Sequence, residues 1–415
     1  MRLHPGMIPL ISLCCQRMNT PSYPTIRLRL DRERSTLARH PWIFSQAVHS
    51  LDTDVKHGDL VQVESWDGEV IGVGTFSESS SIVVRIFSFT PCVIDEAWME
   101  EKIMEADTRR KKAGIAHEKT DGYRVVFGEA DDLPGIIIDR YRHVFVIQLS
   151  TAGADRLREM IVQAIEKLFH PAAIVERSDM PSRKEERLEP VVSVLHGKLP
   201  KQVLFSEEGM EYLADPLEGQ KTGFFLDQRP MRMWLQKNVR GRVLNLFSYS
   251  GASGIAAIKG GADFVLNVDA SASALELCGK HAKLHKIASD LFQTEEADVF
   301  QYLGKTTHEA FDVVILDPPA LMKSRKDMEE GRKAYHFLNR AAMRLVKPGG
   351  IFLTSSCSYY FSFEDMLTTL RRASLQNNRV FHIFSHLPQP ADHPASLYFP
   401  ESSYLKTVIG EMGES

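Results

Sequence analysis

Two short segments in the C-terminal half carry residue types suited to catalysis. Asp317 is followed by Pro318 and Pro319, and Cys357 stands among Ser355, Ser356 and Ser358. Consecutive prolines remove two backbone donors and fix φ twice, so this turn holds its carboxyl stiffly. A rigid loop without a ligand is the alternative for the same pattern. A thiol becomes a nucleophile once its pKa is depressed, although a lone cysteine is as often a small core residue. Upstream, the loop Asn245-Leu246-Phe247-Ser248-Tyr249-Ser250-Gly251 leads into the small residues Ala252, Ser253 and Gly254. Small residues let a ligand approach the backbone closely. The loop lacks the G-x-G-x-x-G that a pyrophosphate demands, so a cofactor without phosphates fits better, and S-adenosylmethionine is one. Asp269 follows 18 residues after Gly251. A carboxylate there can accept hydrogen bonds from both ribose hydroxyls. Asp298 can accept from an adenine amino group or simply cap a helix.

These residues need elements that bring them to one edge. Strand signals at Arg242–Phe247, Phe264–Asp269, Leu291–Ala297, Phe311–Leu316 and Ile351–Ser355 alternate with helix signals at Gly251–Lys259, Ala272–Ile287 and Glu330–Val346. That rhythm predicts a doubly wound parallel sheet over residues 213–415. The glycines Gly349 and Gly350 are expected to break the last of those helices. Ligands of such sheets bind beyond the carboxyl ends of the strands. Asp317 and Cys357 then sit on neighbouring strand ends, about 4.8 Å apart laterally.

Two further regions precede the sheet. Residues 23–92 hold β-branched runs at Leu60–Val63, Val70–Gly74 and Ile82–Phe87, which predict a small antiparallel barrel or sandwich. Its entrance, Ile26–His40, sets five arginines (Arg27, Arg29, Arg32, Arg34 and Arg39) against Asp31 and Glu33, a net of three positive charges. Guanidinium groups on a strand surface suit phosphates, and a solvated edge strand is the alternative. Residues 93–212 read as a mixed α+β unit with helices at Asp95–Ala113 and Ala154–Phe169 and no catalytic constellation. The cations Arg109 to Lys112 complement the helix dipole and need no RNA to explain them. Residues 1–22 are expected to be a leader, disordered or preceding the true start. The five cysteines include no C-x-x-C pair, so no metal site is expected and a reducing cytoplasm fits best. No apolar run is long enough for a membrane span. A net charge of −4 argues mildly against nucleic acid.

Taken together, four segments resemble one family. They are Lys221-Thr222-Gly223-Phe224-Phe225-Leu226-Asp227-Gln228-Arg229, Val243–Gly251, D-P-P-A-L-M-K-S from Asp317, and S-S-C-S-Y-Y from Ser355. Ala391-Asp392-His393-Pro394 with Tyr404-Leu405-Lys406, Arg39–Phe44 and Ala130–Tyr141 match as well. The family is the bacterial ribosomal RNA large subunit methyltransferase I group, and the likeness covers about residues 24–412. It implies an α/β chain with an N-terminal PUA barrel, a middle α+β domain and a C-terminal Rossmann-like class I methyltransferase sheet. It implies 5-methylcytosine formation in 23S ribosomal RNA or a large-subunit precursor, with no membrane and with a homodimer left open.

The resemblance also implies roles. Cys357 and Asp317 are catalytic, the thiolate adding to carbon 6 of cytosine while Asp317 hydrogen-bonds or protonates N3. S-adenosylmethionine is held by Phe224, Asp227, Gln228, Asn245, Phe247, Ser248, Tyr249, Gly251, Asp269, Ser271, Asp298 and Asp317. Asp227 has a second reading as the N-cap of a helix over Gln228–Asn238. Pro318, Pro319, Lys323, Tyr359 and Arg39 meet the RNA. The base that removes the carbon 5 proton has no assignment; Lys323 and water are both open. The chain departs from the family at Leu321, where an aromatic is usual, and at Tyr359-Tyr360, where histidines are frequent; both bear on how a base stacks. Two other functions stay open: methylation of a base nitrogen through the D-P-P turn without Cys357, and a non-catalytic RNA-binding assembly factor.

Overall fold

Between residues 241 and 414 the strand–helix alternation becomes one seven-stranded sheet. Its strands are β1 (Gly241–Leu246), β2 (Ala262–Asp269), β3 (Phe292–Glu296), β4 (Phe311–Leu316), β5 (Val346–Ser356), β6 (Arg379–Pro388) and β7 (Lys406–Glu414). The spatial order is β3-β2-β1-β4-β5-β7-β6, with β7 antiparallel to both neighbours. The direction of growth reverses between β1 and β4, which makes that point the ligand-binding crevice. This computed structural model describes residues 23–306 and 311–414, so the expected leader lies outside the described residues.

The central strands read as continuous apolar runs because helices cover both faces. Val243, Leu244, Val313, Val314, Ile315, Leu316, Phe352 and Leu353 are wholly buried. One expectation is corrected here. Gly349 and Gly350 do not end a helix; the helix stops at Met343, and both glycines lie within β5. Pairing with β4 jumps from Phe311↔Val346 to Val313↔Ile351, so the Lys347–Gly350 stretch bulges out of the ladder. Gly349 supplies the left-handed φ of +72° that the bulge needs.

Ahead of this sheet lie two others. A six-stranded sheet spans residues 25–88 and contains the three expected β runs. A five-stranded sheet spans residues 122–197, backed by helices Glu96–Lys112 and Arg158–Phe169. The second of those helices was expected to begin at Ala154; instead Ala152–Arg156 forms a separate turn before it. The hairpin Val203–Glu207 and Met210–Ala214 connects to the C-terminal sheet, and Tyr141, Val175, Phe205, Tyr212, Phe224 and Val243 share one core.

Charged residues also join the two halves. Asp392 is fully buried and accepts from Arg229 Nη1 at 3.0 Å and from the Arg124 backbone N–H at 3.2 Å. Arg110 makes two 2.6 Å bonds to Asp131 and a third to the Asp392 carbonyl at 2.8 Å. Arg124 makes a bidentate pair with Asp139, and Arg232 with Glu207. Arg109 also pairs with Asp131 and Lys111 with Asp107, so Arg109, Arg110 and Lys111 at the end of the Glu96–Lys112 helix are engaged internally. Among the described residues, no helix is long and apolar enough to cross a membrane.

Candidate active site

The β4 and β5 strand ends define the site. Leu316 pairs with Thr354, so Asp317 stands level with Ser355. Cys357 lies two residues further along, about 7 Å beyond that level at ~3.3 Å per residue. The two are therefore offset along the strands as well as across them, which leaves room for a planar ring. The Asp317 carboxyl is half-buried and accepts from Gln228 Nε2 at 2.8 Å. Burial, and then the neighbouring Asp227 carboxylate, push its pKa up to about 7 against the pull of Lys221.

Cys357 is a free thiol, partly open to solvent. Its loop is clamped on both sides. Ser356 Oγ donates to the Tyr335 hydroxyl at 2.9 Å, and that hydroxyl also shares a 2.8 Å bond with Ser358 Oγ. Ser358 Oγ accepts from the Met322 N–H, joining the D-P-P segment to the cysteine segment, and Lys406 Nζ donates to the Ser358 carbonyl at 2.7 Å. Burial pushes the thiol up to about 11, Lys221 opposes it, and Asp317 and Asp227 reinforce it.

Lys221 and Asp227 complete the cluster. Asp227 Oδ2 accepts from Tyr404 Oη at 2.7 Å and from Lys221 Nζ at 3.2 Å. Burial alone would raise this carboxyl, but Lys221, His393, Tyr404 and Arg124 hold it below the usual carboxylate range. Its Oδ1 is buried with no partner among the described residues. The N-cap alternative for Asp227 fails, because the helix Arg229–Asn238 is capped at Gln228 without a side-chain bond. Lys221 had no assigned role in the sequence. It adopts a left-handed φ of +52°, and its ammonium lies 4.4 Å from the Phe225 ring centroid.

The β1 loop is tightly wound. Phe247, Tyr249 and Gly251 all have positive φ, at 58°, 47° and 69°. Non-glycine residues in that region cost of order 1 kcal/mol each and cluster at functional sites. Asp269, at the end of β2, accepts from the Tyr249 N–H at 2.8 Å and the Ser271 N–H at 2.9 Å. The buried Ser248 Oγ has no partner among the described residues.

Several expected cofactor contacts are otherwise employed. Phe224 points into the core, where Arg232 lies 4.7 Å over its ring, and its neighbour Phe225 meets Tyr249 edge-on at 5.0 Å. Asn245 donates across the ladder to Asn267 at 2.9 Å. Ser271 and Asp298 are N-caps, accepting from Ala274 and Gln301. Gly251 is required by its φ and by Cys278, whose sulfur would lie 2.2 Å from any added Cβ. Pro318 is buried, while Pro319, Lys323 and Tyr359 are exposed at the mouth, with Tyr359 edge-on to Tyr360. Arg39 lies elsewhere, against Phe89 and Tyr398.

This geometry fits S-adenosylmethionine. The loop offers no phosphate cradle, Asp269 stands where a ribose would lie, and two buried oxygens have no partner among the described residues: Asp227 Oδ1, which can accept, and Ser248 Oγ, which can donate or accept. An anionic acceptor suits the cofactor's positive charges.

Comparison with known proteins agrees. Residues 26–89 match a PUA-like domain, and residues 151–396 match an S-adenosylmethionine-dependent methyltransferase. A ribosomal RNA large subunit methyltransferase I of Shewanella frigidimarina is 38% identical over 93% of this chain and 99% of its own. Its counterpart in Shewanella amazonensis is 39% identical with the same coverage. A solved S-adenosylmethionine-dependent methyltransferase from Streptococcus mutans superposes with a TM-score of 0.78 at 22% identity, covering 93% of this chain and 99% of that one. A second solved methyltransferase, complexed with SAH, gives a TM-score of 0.79 at 21% identity and the same coverage. The chain belongs to the S-adenosylmethionine-dependent ribosomal RNA large subunit methyltransferase I family.

Proposed function

We propose that this chain methylates carbon 5 of a cytosine in 23S ribosomal RNA, using Cys357 as a covalent nucleophile. The cofactor supplies an electrophilic methyl group on a positively charged sulfur. Cytosine carbon 5 is too weak a nucleophile to take it unaided. Addition of the Cys357 sulfur to carbon 6 makes carbon 5 electron-rich; loss of the carbon 5 proton and departure of the thiolate then restore the ring. A base in a duplex must first be flipped out to reach these groups.

The observation that carries this reading is the pairing of a clamped, partly open thiol with a carboxyl held near neutrality on the adjacent strand. Near pH 7 about half of Asp317 is protonated and able to donate to N3, which draws electrons from carbon 6. Lys221 is the cation that favours the thiolate against the two carboxylates. Lys323 and water are the candidates for the base that takes the carbon 5 proton.

A thiol pushed up to about 11 favours the second reading, transfer to a base nitrogen with Cys357 idle. Digestion of ribosomal RNA methylated by the purified protein, followed by nucleoside mass spectrometry, separates the two. 5-Methylcytidine is expected; a nitrogen-methylated base contradicts the covalent route, and no methylated base points to an assembly factor.

A further inference from the structure

Far along the chain from the catalytic pair, three parts of the molecule enclose a second cavity of about 400 Å³. The first sheet contributes Arg39 and Phe89, the middle region Lys102, Arg109 and Glu129, and the C-terminal segment Tyr398. Pockets of roughly 300–1,000 Å³ suit small organic ligands. Arg39 is exposed and held in the left-handed region, at φ +68°. Its guanidinium lies 5.7 Å from the Phe89 ring and 5.9 Å from the Tyr398 ring. Among the described residues it makes no side-chain hydrogen bond or ion pair, so its donors are available. By contrast, Arg109 is paired with Asp131 and Lys102 with Glu105. Tyr398 is 52% exposed, so part of its ring is open to a stacking partner.

We infer that this cavity holds one unpaired nucleotide of the RNA substrate, its phosphate on Arg39 and its base stacked against Tyr398. The inference rests on RNA being the substrate. A free guanidinium between two rings meets both halves of a nucleotide: charge for the phosphate and a π face for the base. Glu129 uses Oε1 to accept from Trp42 Nε1 at 2.8 Å, and its other oxygen can accept from an exocyclic amino group. The cavity is also wired to the catalytic cluster. Trp42 packs edge-on against Phe399 at 4.7 Å, beside Tyr398, and six residues after Tyr398 the same segment delivers Tyr404 to Asp227. A nucleotide held here is positioned as a neighbour of the target, setting the path of the strand into the active site.

The test uses the full chain and a short, fluorescently labelled single-stranded RNA, with binding followed by anisotropy at several salt concentrations. Arg39→Asn is chosen because asparagine tolerates the left-handed backbone. Its expected effect is about tenfold weaker binding and a salt slope reduced by about one. Tyr398→Ala is expected to weaken binding about tenfold, and Tyr398→Phe to stay within about twofold of the parent. Melting and cofactor binding of each variant serve as folding controls. In parallel, a bromouridine-containing RNA is photocrosslinked to the unmodified protein, and Phe89 or Tyr398 is expected in the crosslinked peptide. Parent-like RNA binding by Tyr398→Ala, an unchanged salt slope in Arg39→Asn, or crosslinks confined to other peptides overturns the inference. A parent protein that binds RNA as described yet makes no 5-methylcytidine contradicts the proposed reaction and leaves this site standing.

Discussion

At Cys357 two demands oppose each other. The thiol must be partly sheltered to meet a flipped base, and shelter raises its pKa to about 11, so only about one molecule in ten thousand carries the thiolate at pH 7. Asp317, about 7, must be protonated to donate. The active form therefore needs the higher-pKa group deprotonated and the lower-pKa group protonated. Below pH 7 Asp317 is protonated and the thiolate fraction grows about tenfold per pH unit. Between 7 and 11 the gain in thiolate is cancelled by the loss of the Asp317 proton. The rate of methyl transfer at limiting RNA should thus rise up to about pH 7 and then level. Asp317→Asn, whose amide does not titrate, should start lower by about 100-fold and keep rising above pH 7. A parent profile that climbs steadily to pH 9, or a variant that levels at 7, contradicts these roles. Lys221→Gln removes the cation that favours the thiolate; alkylation of Cys357 by iodoacetamide near pH 8, without cofactor or RNA, should slow several-fold while Lys221→Arg stays near the parent. Equal alkylation rates in Lys221→Gln and the parent would show that the ammonium does not act on the sulfur.

Asp317 and Cys357 were legible in the sequence because each ends a recognisable strand. Lys221 was not. Its influence comes from a left-handed turn that carries it across to Asp227, and no periodicity encodes such a turn. Phe224 and Phe225 are adjacent aromatics outside any regular element, so their spacing could not say which faces the crevice and which the core. Asp298 presented two readings, and the cap is the one whose geometry is visible.

Between elements, Tyr335 links the Met328–Met343 helix to the cysteine loop through two hydroxyl bonds and stacks on Phe361 at 4.3 Å. Tyr335→Phe keeps the stacking and loses the bonds. A stability loss of about 1–2 kcal/mol is expected, with a several-fold drop in kcat and unchanged cofactor affinity. An unchanged kcat would show that the loop stays ordered without the tyrosine hydroxyl. β6 and β7 had no expected counterpart, whereas β1 to β4 followed from their strand signals to within about two residues at each end and β5 to within about five. The β5 bulge did not, since Lys-Pro-Gly-Gly signals a turn equally well between elements or inside a strand.

The whole molecule is bound together by buried ion pairs that span the chain. Asp392 meets Arg229 and the backbone of Arg124, partners 163 and 268 positions away. Burial by itself raises the Asp392 carboxyl, but Arg229 and His393 outweigh it and hold it below the usual range. Its contribution to stability is therefore present above the unfolded carboxyl pKa near ~4 and lost as pH falls below that value. Asp392→Asn leaves Arg229 short of charge in the interior and should cost about 3–5 kcal/mol, read as a lower melting temperature near pH 7. Arg229 also pairs with Glu207 at 3.2 Å, and little change in melting temperature would mean that this second carboxylate suffices for Arg229. Such contacts join residues too distant in sequence for spacing to reveal, so the adjacency of β4 and β5 could be anticipated while the antiparallel β7 beside them and the seam between the middle and C-terminal sheets could not.

The most direct test of covalent catalysis is a trap. RNA carrying 5-fluorocytidine at the target position has no carbon 5 proton to lose, so a Cys357–carbon 6 bond formed during methyl transfer cannot resolve. Incubation with S-adenosylmethionine should yield a protein–RNA adduct stable to denaturation, its mass mapping to the peptide that contains Cys357, and absent from Cys357→Ala. Methyl transfer by the parent protein to ordinary RNA, with no adduct on the fluorinated RNA, would contradict the nucleophilic role of Cys357.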